Sequence, residues 1–267
     1  MNPAALSILL LSAAAFFFTK KCEDPTPMDM AEDALDDKYR ACRDEMLKKF
    51  NREYILLKEL NAYKEVRQAW IEAEERMKKL NSQELSLLQA TAIHVYTMDS
   101  KHSHSSTLNK AVRTVGKNYS NFPFKAWHFH LTDALQTLKA KEPKCYDVFR
   151  GVQNRTKVVG DIVRFGYFAS TSENKSVAEG FRKGTGGSTK GTLFTITSCF
   201  GVSIEKYSYN KSQQEVLIPP FEIFRVTKVN GNEIQLEHIM GGATVFKIQH
   251  TLTVFCVIWP LILMQTH

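Results

Sequence analysis

The sequence predicts an α+β fold, with helices in the first half of the chain and strands in the second. Three observations lead there. From Asp36 to Leu80 the chain is charged, nearly free of turn residues, and apolar at three- and four-residue steps. From Cys145 onward it breaks into short β-branched and aromatic runs separated by turn residues. Pro143 stands between the two regimes. Helices first and strands later mark an α+β chain, since a doubly wound sheet would alternate them.

Leu47, Phe50, Tyr54, Leu57 and Leu60 form the first apolar stripe, and Glu74–Lys78 and Glu75–Lys79 are i,i+4 pairs for a wet face. Ser82-Gln-Glu predicts a new helix start, with Leu85, Leu88, Ala92 and Tyr96 as its stripe. His94, His102 and His104 lack a carboxylate or cysteine at ligand spacing and read as surface histidines, not a metal site. After a polar loop, 101–106, a short helix is expected over Leu108–Val115. A longer one follows over Phe124–Lys139, with Trp127, Leu131, Leu135 and Leu138 on its core face.

In the second half, strands are expected at Tyr146–Arg150, Asp161–Ser170, Thr192–Thr197, Val202–Ile204, Glu215–Ile218, Phe221–Val229 and Glu233–Glu237. Asn230-Gly231 signals a hairpin turn. Ser176–Phe181 reads as one or two helical turns. Lys183–Lys190 is a glycine-rich loop without the Gly-Lys-Ser/Thr ending or following helix of a phosphate loop, so it is not read as one.

The chain has 267 residues, 43% hydrophobic and 24% charged, which suits a globular protein with a sizeable core. Its net charge is +7. No zinc spacing, Walker loop or tight basic block accompanies that charge, which argues against nucleic acid as the partner. Ala4–Phe18 is an apolar run of signal-peptide length, so residues 1–21 are expected to be a leader or an N-terminal anchor. Gly241-Gly242-Ala243, a spacer and the apolar run Leu252–Met264 resemble a GPI-attachment signal, which makes 244–267 an apolar tail to be exchanged for a lipid anchor in the membrane. The domain proper then spans 22–243, helical over about 30–140 and sheet over about 145–240. Four sequons, at Asn118, Asn154, Asn174 and Asn210, fit the same secretory and extracellular route. Of the five cysteines, Cys145 and Cys199 flank predicted strands and are expected to pair. Cys42 is left with Cys22, or with Cys256 if the tail is kept.

Three strand-end features stand out. Arg150-Gly151 closes the first strand, Ser170-Thr171-Ser172 closes the second, and Gln213-Gln214-Glu215 opens a buried strand stopped by Pro219-Pro220. A cation, a hydroxyl cluster and a carboxylate at strand ends can surround one anionic ligand.

With Phe149-Arg150-Gly151, the run Val163–Ser172, Gly191–Ile196 and Glu215–Phe221 in this order, the chain resembles the vertebrate ecto-mono-ADP-ribosyltransferases, the NAD(P)+–protein-arginine class with an arginine-serine-glutamate triad. The resemblance runs from Asp36 to Val229. It implies a helical part on a split antiparallel sheet, with NAD or NADP as substrate, no metal, and a protein as acceptor. Carried over, Arg150 holds a phosphate or ribose of NAD, the Gly151 backbone meets the nicotinamide carboxamide, and Phe181 packs on the nicotinamide ring. Ser170 positions Glu215, and Glu215 stabilises the oxocarbenium-like state from the ribose 2′-hydroxyl.

The sequence departs from the family at Gln213, where arginine-specific members carry glutamate. A carboxylate there would grip an acceptor guanidinium and help remove its proton. A neutral amide does neither. The expectation is NAD cleavage with weak transfer to arginine. Hydrolysis by water, and a catalytically silent binding protein on the same fold, are the alternatives. The family usually joins the cysteine equivalent to Cys42 to one near the end of the domain, and none lies between Cys199 and Cys256.

Overall fold

The structure is a computed structural model that describes residues 26–98, 104–183 and 191–239. The leader run, the apolar tail, His102 and most of the glycine-rich loop lie outside those residues, as do both candidate partners of Cys42.

A short strand, β1 (Thr26–Met28), precedes the helical part. There α1 (Arg43–Glu53), α2 (Ile55–Ala62) and α3 (Lys64–Leu80) divide the helical stretch Asp36–Leu80 that the sequence predicted. The breaks have local causes. Tyr54 adopts left-handed φ/ψ of 51°/38°, and Tyr63 leaves the helical region at −126°/83°. Each break redirects the chain, so the expected stripe does not hold. Phe50 is buried, while Tyr54 and Leu57 are 68% and 52% exposed. The periodic face is real in α3, where Val66, Ala69, Trp70, Ala73 and Met77 are buried and Glu74 pairs with Lys78 at 2.8 Å.

Helix α4 (Leu87–Thr97) starts later than Ser82, because Ser86 and Gln89 form the capping box. Ser82 instead shares a hydrogen bond with the Tyr207 hydroxyl at 2.7 Å. Then come α5 (His104–Thr114), a 3₁₀ segment (Gly116–Asn121) and α6 (Lys125–Lys141), whose Trp127, Leu131 and Leu135 are core, as expected. His94 and His104 are buried, which corrects their reading as surface residues. His94 sits there because its Nδ1 bonds the Tyr207 carbonyl at 2.8 Å.

The strands are β2 (Tyr146–Val152), β3 (Thr156–Val158), β4 (Ile162–Val163) and β5 (Ala169–Ser172). After helix α7 (Lys175–Lys183) come β6 (Thr192–Ser198), β7 (Val202–Ser203), β8 (Glu215–Ile218), β9 (Phe224–Asn230) and β10 (Glu233–His238). The run Asp161–Ser170 is thus two short strands, not one. Between them the buried Arg164 turns inward to Asp36 and to the carbonyls of Met30 and Ala31, and Gly166 turns the chain at φ +66°. The strand expected over Phe221–Val229 begins at Phe224. The Glu222 carboxylate is held by the Ser198 hydroxyl and by the amides of Cys199 and Phe200, so its segment folds back as a turn.

Among the described residues, eight strands form one sheet in the order β4-β9-β10-β6-β2-β5-β8-β7, and β1 and β3 form a separate parallel pair. Pairing in the large sheet is antiparallel except between β10 and β6. The hairpin at Asn230-Gly231 forms as read, with Gly231 at φ +57°. Cys145 and Cys199 are disulfide-bonded beside the paired ends of β2 and β6.

The sheet is nearly split. Strand β2 pairs with β6 along its whole length, from Tyr146↔Ser198 to Val152↔Thr192. On its other side it meets β5 at one residue pair, Phe149↔Ser172. Both faces of β8 are covered, which explains its continuous apolar run. Leu217 joins the helical core with Trp70 and Trp127, while Val216 and Ile218 join the core on the opposite face.

Candidate active site

A cleft of about 460 Å³ opens where β2 and β5 part. Arg150, Gly151, Ser170, Phe181, Gln213 and Glu215, the six residues singled out from the sequence, all line it. They come from four places in the chain: β2, β5, α7 and the segment entering β8. Among the described lining residues the formal charges are one guanidinium, Arg150, and one carboxylate, Glu215.

Glu215 is 4% exposed. Burial raises its pKa above the ordinary glutamate value, and hydrogen bonds from Ser170 and Ser208 and the charge of Arg150 oppose that rise. The Ser208 hydroxyl donates to Oε2 at 3.2 Å. The side chain is thus desolvated yet oriented, as a group that acts by preorganised charge requires.

The Arg150 Nη1 donates to the Ser170 carbonyl at 2.6 Å, beside the gap in the ladder. The guanidinium lies over the rings of Phe165 and Tyr167, 5.9 and 5.8 Å from their centroids. Its Nε is buried without a hydrogen-bond partner among the described residues, while the residue itself lines the cleft. A guanidinium at a cleft wall is chemically suited to an anionic oxygen.

Gly151 has a structural reason to be glycine besides access for a ligand. A Cβ there would lie 1.8 Å from the Ala178 carbonyl oxygen and 2.7 Å from the Arg182 nitrogen, both backbone atoms of α7. The close packing of α7 on β2 sets Phe181 at the rim, where the residue is 53% exposed. Phe181 and Gly151 are also walls of a second cavity, of about 470 Å³, which adjoins the first.

Gln213 ends a 3₁₀ turn (Lys211–Gln213), and its carbonyl accepts from the Ser172 hydroxyl at 2.6 Å. Gln214 is left-handed at φ 45° and points the chain into β8. Asn210 opens this turn and lines the same cleft.

Two contributors escaped sequence reasoning. Ser208 lies in a stretch with no periodic pattern, and only folding brings it to Glu215. Tyr96 is the last core residue of α4. It reaches the cleft, and its hydroxyl donates to the Phe168 carbonyl at 2.6 Å. The segment carrying Ser208 is held by the helical part. Glu84 accepts from Lys206 and the Tyr207 hydroxyl at 2.8 and 2.9 Å, and the Thr97 hydroxyl accepts from the Tyr209 amide at 2.9 Å. Among the described residues no group of three or more metal-ligating side chains converges.

The profile described as ART: NAD:arginine ADP-ribosyltransferase matches residues 28–241. The chain is 36% identical over 215 residues to T-cell ecto-ADP-ribosyltransferase 1 of Mus musculus, covering 78% of this chain and 71% of that protein. It is 35% identical over 252 residues to ecto-ADP-ribosyltransferase 5 of Homo sapiens, covering 88% and 83%. Its fold is similar to a crystal structure of a mutant of the eukaryotic mono-ADP-ribosyltransferase ART2.2 in complex with NADH. The TM-score is 0.72 at 32% identity, over 82% of this chain and 97% of that one. Another ART2.2 mutant was crystallised in complex with NAD.

Proposed function

The chain belongs to the NAD:arginine ADP-ribosyltransferase family, and from that premise we propose that it cleaves NAD at the nicotinamide–ribose bond and passes ADP-ribose to a protein side chain, with water as the competing acceptor. One observation carries this reading: among the described lining residues one desolvated carboxylate, Glu215, shares a cleft with one guanidinium, Arg150. The two adjoining cavities, joined at Gly151 and Phe181, give room for a dinucleotide.

In the proposed reaction Arg150 holds a phosphate or ribose oxygen of NAD or NADP. Phe181 covers the nicotinamide ring and the Gly151 backbone faces its carboxamide. The bond from ribose C1′ to the nicotinamide nitrogen breaks, and its electron pair leaves with neutral nicotinamide. Glu215, oriented by Ser170 and Ser208, accepts a hydrogen bond from the ribose 2′-hydroxyl and stabilises the positive charge on the ribosyl ring. An acceptor nucleophile then bonds C1′ and releases a proton.

Gln213 sets the balance between acceptors. It stands on the cleft wall where a carboxylate would grip and deprotonate a guanidinium, and an amide does neither. Arginine transfer is therefore weak and hydrolysis correspondingly strong. The four sequon asparagines are all exposed, and the Cys145–Cys199 disulfide suits an oxidising compartment. Both features support a secretory route to the cell exterior.

The test is NAD turnover with and without agmatine, a small guanidinium acceptor, for the wild type and Gln213→Glu. The expected result is nicotinamide release by both, with ADP-ribosyl-agmatine made efficiently only by the variant. Efficient modification of agmatine by the wild type overturns the account of Gln213. Absence of nicotinamide release from both favours the silent binding protein.

A further inference from the structure

We propose that Asn210 carries an N-linked glycan at the mouth of the cleft, and that this glycan selects acceptors by size, admitting water and small nucleophiles while holding back folded proteins. The inference rests on the functional reading above and adds a modification that regulates the same site.

Asn210 heads the sequon Asn210-Lys211-Ser212, is exposed, and lines the cleft beside Tyr209 and Gln213. Its Oδ1 accepts from the Ser212 amide at 3.1 Å and from the Ser212 hydroxyl at 2.7 Å. Its Nδ2 makes no hydrogen bond among the described residues. N-glycosylation uses that nitrogen. Nδ2 gives up one proton and bonds the anomeric carbon of a polyprenyl-pyrophosphate-linked oligosaccharide, whose pyrophosphate leaves. The amide oxygen is untouched, so the cap on the turn before Glu215 survives the modification. Tyr209, 40% exposed beside it, offers an aromatic face on which a sugar ring can rest.

The other sequons provide the contrast. Asn118 is exposed on the helical part and accepts from the Ser120 hydroxyl at 2.6 Å, but it lines neither cavity. Asn174 opens α7, with its Oδ1 on the Ser176 amide at 2.9 Å, and is likewise absent from both linings. Asn154 borders the second cavity only. Of the four, Asn210 is the one beside the residues proposed to meet the acceptor.

The experiment expresses the full chain in mammalian cells limited to high-mannose glycans. Peptide mass spectrometry reads occupancy at Asn210. ADP-ribose transfer to an arginine-rich protein and to agmatine is then compared before and after endoglycosidase trimming to a single sugar. Both are measured in the wild type and in Gln213→Glu, so that transfer is large enough to compare. The expected result is an occupied Asn210, a several-fold rise in the protein-to-agmatine ratio on trimming, and unchanged nicotinamide release. Asn210→Gln should reproduce the rise and Asn118→Gln should not. An unmodified Asn210, or an unchanged ratio after trimming, overturns the proposal. Loss of nicotinamide release in every form instead sinks the NAD reading and the gate with it, while the mass spectrum still decides whether Asn210 is modified.

Discussion

Two desolvated glutamates, Glu59 half-buried in the helical part and Glu215 buried in the sheet part, experience the same physical force for different ends. Glu59 on α2 and Glu215 at the head of β8 are both desolvated, and burial raises the pKa of each. Glu59 spends its oxygens on the backbone. It accepts from the Ala126 amide at 2.9 and 3.2 Å and from the Trp127 amide at 3.4 Å, which caps the start of α6 from a neighbouring helix. Glu215 faces a cleft, held by hydroxyls and opposite a guanidinium. A perturbed carboxylate is thus a site only where a cavity gives it something to act upon. The buried histidines of the helical part make the same point. Burial lowers His128 to about 3 and His130 to about 4, so both are neutral packing groups at physiological pH.

The sharpest way to break this comparison is to neutralise each glutamate. Glu215→Gln should lower the kcat for nicotinamide release about 100- to 1,000-fold, roughly 2.7–4 kcal/mol of transition-state stabilisation, with melting temperature retained. Near-normal turnover would remove Glu215 from the chemistry. Glu59→Gln should do the converse, altering stability and sparing turnover. The Glu59 pKa is raised from 4.5 to about 7, so the folded state holds its proton more tightly than the unfolded chain does. The resulting stabilisation is complete below the unfolded value and is lost as pH rises through the folded one, with a total on the order of 3 kcal/mol. Thermal unfolding across that window should show the wild type weakening toward alkaline pH and the variant flatter.

Gly151→Ala sharpens the comparison from the scaffold side. The added methyl meets the α7 backbone, so α7 must shift and carry Phe181 with it. The expected cost is roughly 1–3 kcal/mol of stability, with a raised KM for NAD. An unchanged KM would mean that the seat of Phe181 does not matter to NAD. The smallest effect belongs to Ser208→Ala. Removing one hydrogen bond to the carboxylate should cost about 0.5–1.5 kcal/mol in kcat. It should also move the acid limb of the kcat–pH profile toward higher pH, because that bond holds the Glu215 pKa down. A profile that stays in place would reduce Ser208 to a packing residue.

Much of this was legible in one chain. The order of helices and strands, the Asn230-Gly231 hairpin and the Cys145–Cys199 bond are local or pairwise matters, written in periodicity, turn chemistry and composition. The breaks at Tyr54 and Tyr63 were not legible, because no glycine or proline marks them and the apolar spacing runs on through both. Burial of His94 was hidden for a related reason. Its partner, the Tyr207 carbonyl, lies 113 residues away and is a backbone atom with no sequence signature.

The candidate site divides along the same line. Its residue types, a cation, a glycine, hydroxyls, a carboxylate and an amide at position 213, stand in the sequence. Those choices are carried by the sequence itself. Whether they meet depends on distances that sequence does not encode. The ladder between β2 and β5 stops after one pair, α7 packs so closely that only glycine fits beneath it, and the helical part draws Ser208 against Glu215. Each of these is a long-range contact whose geometry is fixed by packing, and packing exists only once the chain has folded.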